Sequence, residues 1–319
     1  MEFMVDINSI SMYNVCILNK EMQMDKDSLR QFVQDNPKLV TMRETSTPGL
    51  FVIKYSKRVF FDNLWNEFLE ECRGLIVDAD WNPVVRPFKK VYNFGENGAS
   101  YDRDRMVYVE RKVNGFMGAA TYVSSVDQVI YSTTGSLDSD FAVIVRKWLS
   151  PYEQFFRYHP NRTFLFEVCD KSDPHIIPEV EGVYLIGARN AGKWDNEVRC
   201  ANTDMLDWYA KYMGGGILRP SHSVQRFGDV VQQVKTCYHE GFIVYPVDSW
   251  ETDAGLKIKS KYYLIQKALA RKKDIMTLNK QLLDEEFYPL VDHLNGMKDE
   301  FNAMDEQSRL DYMRKFLQA

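Results

Sequence analysis

The chain's 319 residues carry 40 basic and 45 acidic side chains, a formal net charge of -5, and are 45% hydrophobic and 27% charged. This globular composition excludes collagen-like, fibrous and disordered chains, and at this length folding buries about 75% of the extended surface without disulfide or metal staples. A negative total speaks against a nucleic-acid partner, as far as a sum can.

Length predicts roughly two domains. The opening MEFMVDINSISMYNVCILNK lacks a basic start followed by a continuous apolar stretch, so no secretory leader is expected. Apolar runs such as 241–246 fall far short of the ~20 residues of a membrane span, which excludes a membrane partner. Cys16, Cys72, Cys169, Cys200 and Cys237 are odd in number with no CxxC pair, a pattern that suits reduced thiols in a cytoplasm and argues against zinc.

In chain order, Leu29, Phe32 and Val33 behind Asp27 and Ser28 as the cap predict a first helix. Strands follow at 49–56, 74–80, 106–113, 118–124, 128–135, 163–169, 182–189, 241–246 and 256–260, rich in β-branched and aromatic residues and separated by Asn, Gly, Asp and Pro. Short links such as Asp80-Trp81-Asn82-Pro83 favour antiparallel pairing. Helices are predicted between them at 141–149 and 203–212. After Ser260 the period changes: Ile265, Ala268, Leu269, Ile275, Met276, Leu282 and Leu283, then Phe287, Leu290, Val291, Leu294 and Met297, then Leu310, Met313, Phe316 and Leu317 behind Asp305 recur at helical spacing. The prediction is an α+β chain: an antiparallel-sheet-rich domain over 1–262 and a small all-helical C-terminal module over 263–319.

Two segments concentrate chemistry. Lys112 ends a predicted strand and Asn114-Gly115 predicts a hairpin-type turn into the next, which would hold an amine at the sheet's end. In LKIKSKYY, Lys257, Lys259 and Lys261 alternate with Ile258 and Ser260, so a strand would point all three to one face. Such a face either meets a polyanion or is a solvated edge strand protected by its lysines. His159, His175, His222, His239 and His293 have no metal-ligand spacing, and Cys169 reads as a packed thiol.

The order Lys112-Val113-Asn114-Gly115, Phe164-Leu165-Phe166-Glu167, Tyr184-Leu185-Ile186-Gly187-Ala188-Arg189, Glu240-Gly241-Phe242-Ile243-Val244, Leu256-Lys257-Ile258-Lys259 closely resembles motifs I, III, IIIa, IV and V of the covalent nucleotidyltransferases. That superfamily holds ATP-dependent RNA ligases, DNA ligases and capping enzymes. Upstream, Glu71-Cys72-Arg73-Gly74-Leu75-Ile76 and Arg86-Pro87-Phe88-Lys89-Lys90-Val91-Tyr92-Asn93-Phe94 resemble the T4 RNA ligase 1 family in particular. The resemblance covers about residues 70–262 and implies a nucleotidyltransferase (adenylyltransferase) domain.

It implies that Lys112 is the nucleophile forming a phosphoramidate with AMP, that Glu167 meets the adenosine ribose, and that Lys257 and Lys259 contact the α-phosphate. Glu240 would hold Mg2+ or Mn2+, directly or through water. Arg73 and Lys90 would contact the outgoing pyrophosphate, Tyr92 and Gly115 would border the nucleotide, and Arg189 is a weaker candidate for organising phosphate or metal-bound water. The chemistry agrees with such a set, because an amine with a free pKa of about 10.4 must be desolvated or placed among cations to attack at neutral pH. Two positions depart from the family: Asn114 stands where Asp is commonest, and Thr134 where the better-known member has a lysine.

The implied activity is ATP-dependent joining of RNA 5′-phosphate and 3′-hydroxyl ends, with cleaved tRNA as a substrate of phage repair, by a monomer in the cytoplasm of the host. A DNA ligase, a capping enzyme and a non-catalytic RNA-binding protein on the same scaffold are the alternatives. The helical period after motif V favours the RNA ligase, since the other two enzymes usually continue into a five-stranded barrel. The charge sum hides a cancellation: residues 256–280 hold eight basic side chains against Asp274 alone. A basic strip is therefore expected from the site onto the first tail helix, with RNA affinity that falls as salt rises.

Overall fold

A computed structural model describes residues 24–275 and 288–318. The leader reading, Cys16, and the predicted helical positions Met276, Leu282, Leu283 and Phe287 lie outside these residues, as does the side chain of Leu317.

The first four strands are β1 (Val40–Glu44), β2 (Leu50–Tyr55), β3 (Arg73–Asp78) and β4 (Pro83–Val85), antiparallel neighbours in that order. Ten more follow: β5 (Tyr92–Asn93), β6 (Met106–Arg111), β7 (Phe116–Val123), β8 (Gln128–Thr133), β9 (Arg162–Cys169), β10 (Gly182–Asn190), β11 (Ile217–Leu218), β12 (His222–Arg226), β13 (Gly241–Pro246) and β14 (Leu256–Lys259). They form two five-stranded sheets, ordered β11-β10-β9-β7-β8 and β12-β6-β13-β14-β5. All pairings are antiparallel except β10 with β11 and β14 with β5. The fold is α+β and antiparallel-rich, as the alternating patterns predict.

All nine predicted strands are present. The strands missed, β1, β4, β5, β11 and β12, are short or lack a buried face; β12 is exposed at four of its five positions, so no period marks it. The first helix, Lys26–Asp35, starts earlier than predicted. Asp25 is its cap, accepting the Ser28 N–H at 2.8 Å while Ser28 Oγ accepts the Asp25 N–H at 3.0 Å. Asp27 and Ser28 are thus inside the helix, and Ser28 is the reciprocal half of a capping box.

The predicted β6–β7 hairpin is corrected: these strands belong to different sheets, so Lys112–Gly115 is a crossing between sheets. Neither Asn114 nor Gly115 adopts the positive φ that a type I′ turn requires. The edge-strand reading of the lysines is also corrected, because β14 pairs with β13 on one side and β5 on the other. On it Leu256 and Ile258 are buried while Lys257 and Lys259 share the open face. Lys261 has left the strand and opens the helix Lys261–Ala270, capped by Ser260, whose Oγ accepts the Tyr263 N–H at 3.1 Å.

Phe156, Phe164, Phe166 and Leu185 fill the core between the second sheet and the helices Asp140–Leu149 and Thr203–Tyr212. Leu50, Ile76 and Val85 pack against Ala119, Ile130 and Leu165, joining the first sheet to the second. The helices Lys261–Ala270, Tyr288–Gly296, Lys298–Ala303 and Glu306–Gln318 share a core of Tyr263, Leu269, Leu294, Phe301 and Met313 that also takes in Ile176 and Ile177. Buried Arg309 ties them together by donating to the carbonyls of Phe301, Ala270 and Asn302. No helix among the described residues is long and apolar enough to cross a membrane.

Candidate active site

Lys112 directly follows β6, and its backbone N–H donates to the Gly241 carbonyl at 2.8 Å, which fixes it beside the start of β13. Its Nζ lies 2.9 Å from Glu240 Oε2 and 3.9 Å from Glu167 Oε1, the first carboxylate coming from one five-stranded sheet's approach and the second from β9 of the other. Glu240 Oε1 is 3.6 Å from Lys259 Nζ. Glu167 Oε1 also accepts the Gly115 N–H at 3.0 Å. Glycine is required at 115, because a Cβ there would stand 2.3 Å from the Val168 carbonyl oxygen.

Asn114 explains itself in this setting. Its Nδ2 donates to Glu240 Oε2 at 2.7 Å and its Oδ1 accepts the Ile177 N–H at 2.9 Å. A carboxylate at 114 could not donate, and would set a like charge against buried Glu240.

A cavity of about 170 Å³ opens beside Lys112. Its apolar wall includes Phe88, Met117 and Ile186; its polar wall includes Arg73, Lys89, Glu167 and Lys257. Thr134 also borders it, and the Lys54 ammonium comes against the adjacent Gly135, 3.1 Å from where a Cβ would stand.

The structure therefore gathers Lys112, Glu167, Glu240, Lys257, Lys259, Gly115 and Arg73 into one place. Lys90 and Tyr92 do not line the cavity: buried Lys90 pairs with Glu96 at 2.6 Å and lies over the Tyr92 ring, whose hydroxyl donates to Glu70 at 2.7 Å. Lys89 takes the lining position, which sequence reasoning missed. The signal was the pair Lys89-Lys90 itself, since neighbours on an extended segment face opposite ways. Phe88 and Arg199 were missed too; the Arg199 guanidinium stacks on the Phe88 and Tyr245 rings.

Arg189 is corrected outright. It is fully buried and committed to Glu71 through two contacts of 2.8 and 2.9 Å, with further bonds to the carbonyls of Pro87 and Glu197. It braces the fold and does not line the cavity.

Charge in the site is unevenly poised. Burial and the cations Arg73, Lys112, Lys90 and Lys259 push Lys257 down to about 7. Burial also lowers Lys259, with Glu240 pulling the other way. Lys112 departs from the expectation of a depressed amine: burial disfavours its charge, but Glu167 and Glu240 outweigh burial and hold the ammonium above its ordinary value. Glu167 is raised by burial despite Lys112. Cys169, pushed up to about 12 by burial, is an inert thiol.

A family model described as RNA ligase matches residues 71–264, which span every residue of this cluster. In three dimensions the chain is similar to an archaeal ATP-dependent RNA ligase, with a TM-score of 0.56 and 15% identity over 89% of this chain and 74% of that one. A second form of an archaeal ATP-dependent RNA ligase gives 0.55 at the same identity and coverage. A protein from Aquifex aeolicus described as an ATP-dependent DNA ligase gives 0.54 at 12% identity, over 89% and 75%. At these identities the likeness is one of fold. No curated protein matches in sequence.

Proposed function

Because the chain belongs to the RNA ligase family, we propose that it seals RNA in three steps through AMP carried on Lys112. The observation that carries this reading is the meeting of Lys112 Nζ with Glu240 and Glu167 at the edge of a cavity walled by Phe88, Arg73 and Lys257.

The protein is an ATP-dependent RNA ligase. In the first step the Lys112 Nζ lone pair attacks the α-phosphorus of ATP, a P–N bond forms, and the bond to the bridging oxygen breaks to release pyrophosphate. An oxygen of an RNA 5′-phosphate then attacks the same phosphorus, and Nζ leaves. Finally a 3′-hydroxyl attacks the activated 5′-phosphate and AMP departs. The purine fits against Phe88, Met117 and Ile186, Glu167 meets the ribose, and Arg73, Lys89 and Lys257 face the phosphates. Lys259 assists from beside Glu240.

The resting site stores the nucleophile as an ammonium held by two carboxylates. Once the charge of Glu240 is neutralised, Glu167 is the one carboxylate of the pair left to oppose burial, and the balance shifts toward the neutral amine. Glu240 would be the residue to hold a divalent cation such as Mg2+ or Mn2+, since such ions take one or two carboxylates beside a nucleotide. The ion would supply neutralisation of the phosphate charge. RNA with 5′-phosphate and 3′-hydroxyl ends, including cleaved tRNA, is the proposed substrate, joined by a monomer in the cytoplasm, the host's if the chain is phage-encoded. The free thiols of Cys72, Cys169, Cys200 and Cys237 agree with that compartment.

Incubation with α-labelled ATP and Mg2+ should leave label on the denatured protein, and 5′-phosphorylated single-stranded RNA should be sealed in preference to nicked duplex DNA. No label across a range of pH and metals would remove the enzyme reading; preferential sealing of the DNA nick would move the assignment to DNA ligases.

Lys257 gives a pH test. Its folded value of about 7 lies below the ordinary 10.5, so the free protein carries this charge below pH 7 and loses it above. If bound phosphate keeps the ammonium charged, linkage makes ATP affinity about tenfold weaker at pH 8 than at pH 6. Equilibrium binding of a non-hydrolysable ATP analogue checks this, and Lys257→Arg should flatten the dependence. A flat wild-type profile would contradict it.

A further inference from the structure

A second groove, of about 400 Å³, shares Lys257 with the cavity. Four separate segments build it. Phe94 follows β5, Lys235 sits on the 3-10 turn Val234–Thr236, Lys257 and Lys259 come from β14, and Lys261 and Leu264 from the first turn of the next helix. Val231 and Val234 complete the apolar part. Only β14 and the helix after it belong to the basic strip read from sequence; Phe94 and Lys235 are far away in the chain.

The groove pairs four lysine side chains with exposed apolar side chains. Phe94 is 41% and Leu264 48% exposed, an expense of apolar surface that a purely solvated lysine face does not need. Phe94 is held in place: its backbone N–H donates to the Lys257 carbonyl at 2.8 Å, and its ring meets Phe227 edge-on at 5.4 Å. A fixed aromatic beside a row of cations is what a single strand requires, cations for the backbone and a flat surface for a base.

We propose that this groove seats the RNA strand being sealed, with Lys235 and Lys261 on backbone phosphates and Phe94, flanked by Leu264, beneath a base. This rests on the RNA ligase reading and adds to it a location and a mode of contact. Lys257 is the junction: it faces the reacting phosphate in the cavity and the first phosphates of the strand in the groove. Sequence preference is weak, because neither lysines nor a stacked ring read base edges.

The test uses the full chain and a fluorescent, 5′-phosphorylated single-stranded RNA, followed by anisotropy, with label transfer from α-labelled ATP measured in parallel. Lys235 is exposed and lines the groove but not the cavity, so Lys235→Glu should weaken RNA binding about tenfold and lower the salt slope by about one, leaving lysyl-AMP formation within twofold. Phe94→Ala should weaken RNA about tenfold, as loss of one stacking contact does, without changing the salt slope. RNA binding within twofold of wild type in both variants would overturn the proposal while a labelled wild type keeps the ligase reading intact. Equal loss of labelling and RNA binding in Lys235→Glu would also overturn it, by placing the damage in the cavity. An unlabelled wild type would instead remove the reading on which the proposal stands.

Discussion

Lys112→Ala is expected to take no label from α-labelled ATP, a fall of at least 1000-fold and below detection, since the covalent bond has no other atom on which to form. The same variant should still join RNA supplied with its 5′ end already adenylylated, because that last step uses phosphate-facing cations and no nucleophilic amine. The pair of results separates loss of the nucleophile from loss of the fold. Alanine also leaves Glu240 without its 2.9 Å partner, so the empty site gains uncompensated negative charge and should bind ATP less tightly. Lys112→Arg keeps that charge and should restore ATP binding but not label. Retention of label in Lys112→Ala would move the nucleophile elsewhere.

Glu71→Gln is expected to cost about 3–5 kcal/mol of stability, the usual effect of breaking a buried charge cluster from one side. Glu71 is 2% exposed and bridges fully buried Arg86 at 3.1 Å and Arg189 at 2.8 Å; Lys89 stands 3.6 Å away. Asp195 pairs with Arg86 at 2.7 Å and with Lys193 at 3.6 Å but makes no ion pair with Arg189, so the amide would leave the cluster short of negative charge where water cannot help. Burial opposes the Glu71 charge, but Arg189, Arg86 and Lys89 prevail and hold it down at about 2 against an ordinary 4.5. A lowered carboxylate contributes fully above its unfolded value, and the contribution fades as pH falls from about 4.5 toward 2. Denaturant melts of wild type and Glu71→Gln should therefore differ most near neutrality and converge in acid. A gap independent of pH would show that the carboxylate's charge is not the source.

Much of the site was legible because its chemistry is local in sequence. Each motif lies on a strand or directly beside one, and period two placed Lys257 and Lys259 on one face of β14. What stayed hidden depended on distant partners. Arg189 has the composition of a phosphate ligand, and only the arrival of Glu71 from a different sheet's approach makes it a brace. Lys89 and Lys90 are equal in sequence until Glu96 and the Trp65 and Tyr92 rings claim one of them. The Lys112 ammonium was misjudged for the same reason: neighbouring cations were visible in the motifs, while the 2.9 Å approach of Glu240 Oε2 was not. The hairpin prediction failed because turn residues say that the chain bends, not which sheet it enters.

That crossing has a consequence for the catalytic cycle. Among the described residues Lys112, the proposed nucleophile, is the cation that Glu167, on one sheet, and Glu240, just before a strand of the other, hold in common. In the mechanism proposed above, a phosphoramidate on Nζ carries no ammonium charge, so each adenylylation unfastens a clasp between the two sheets and each transfer to RNA refastens it. The cleft then has a covalent timer, loosest while it waits for RNA and tightest when it is empty.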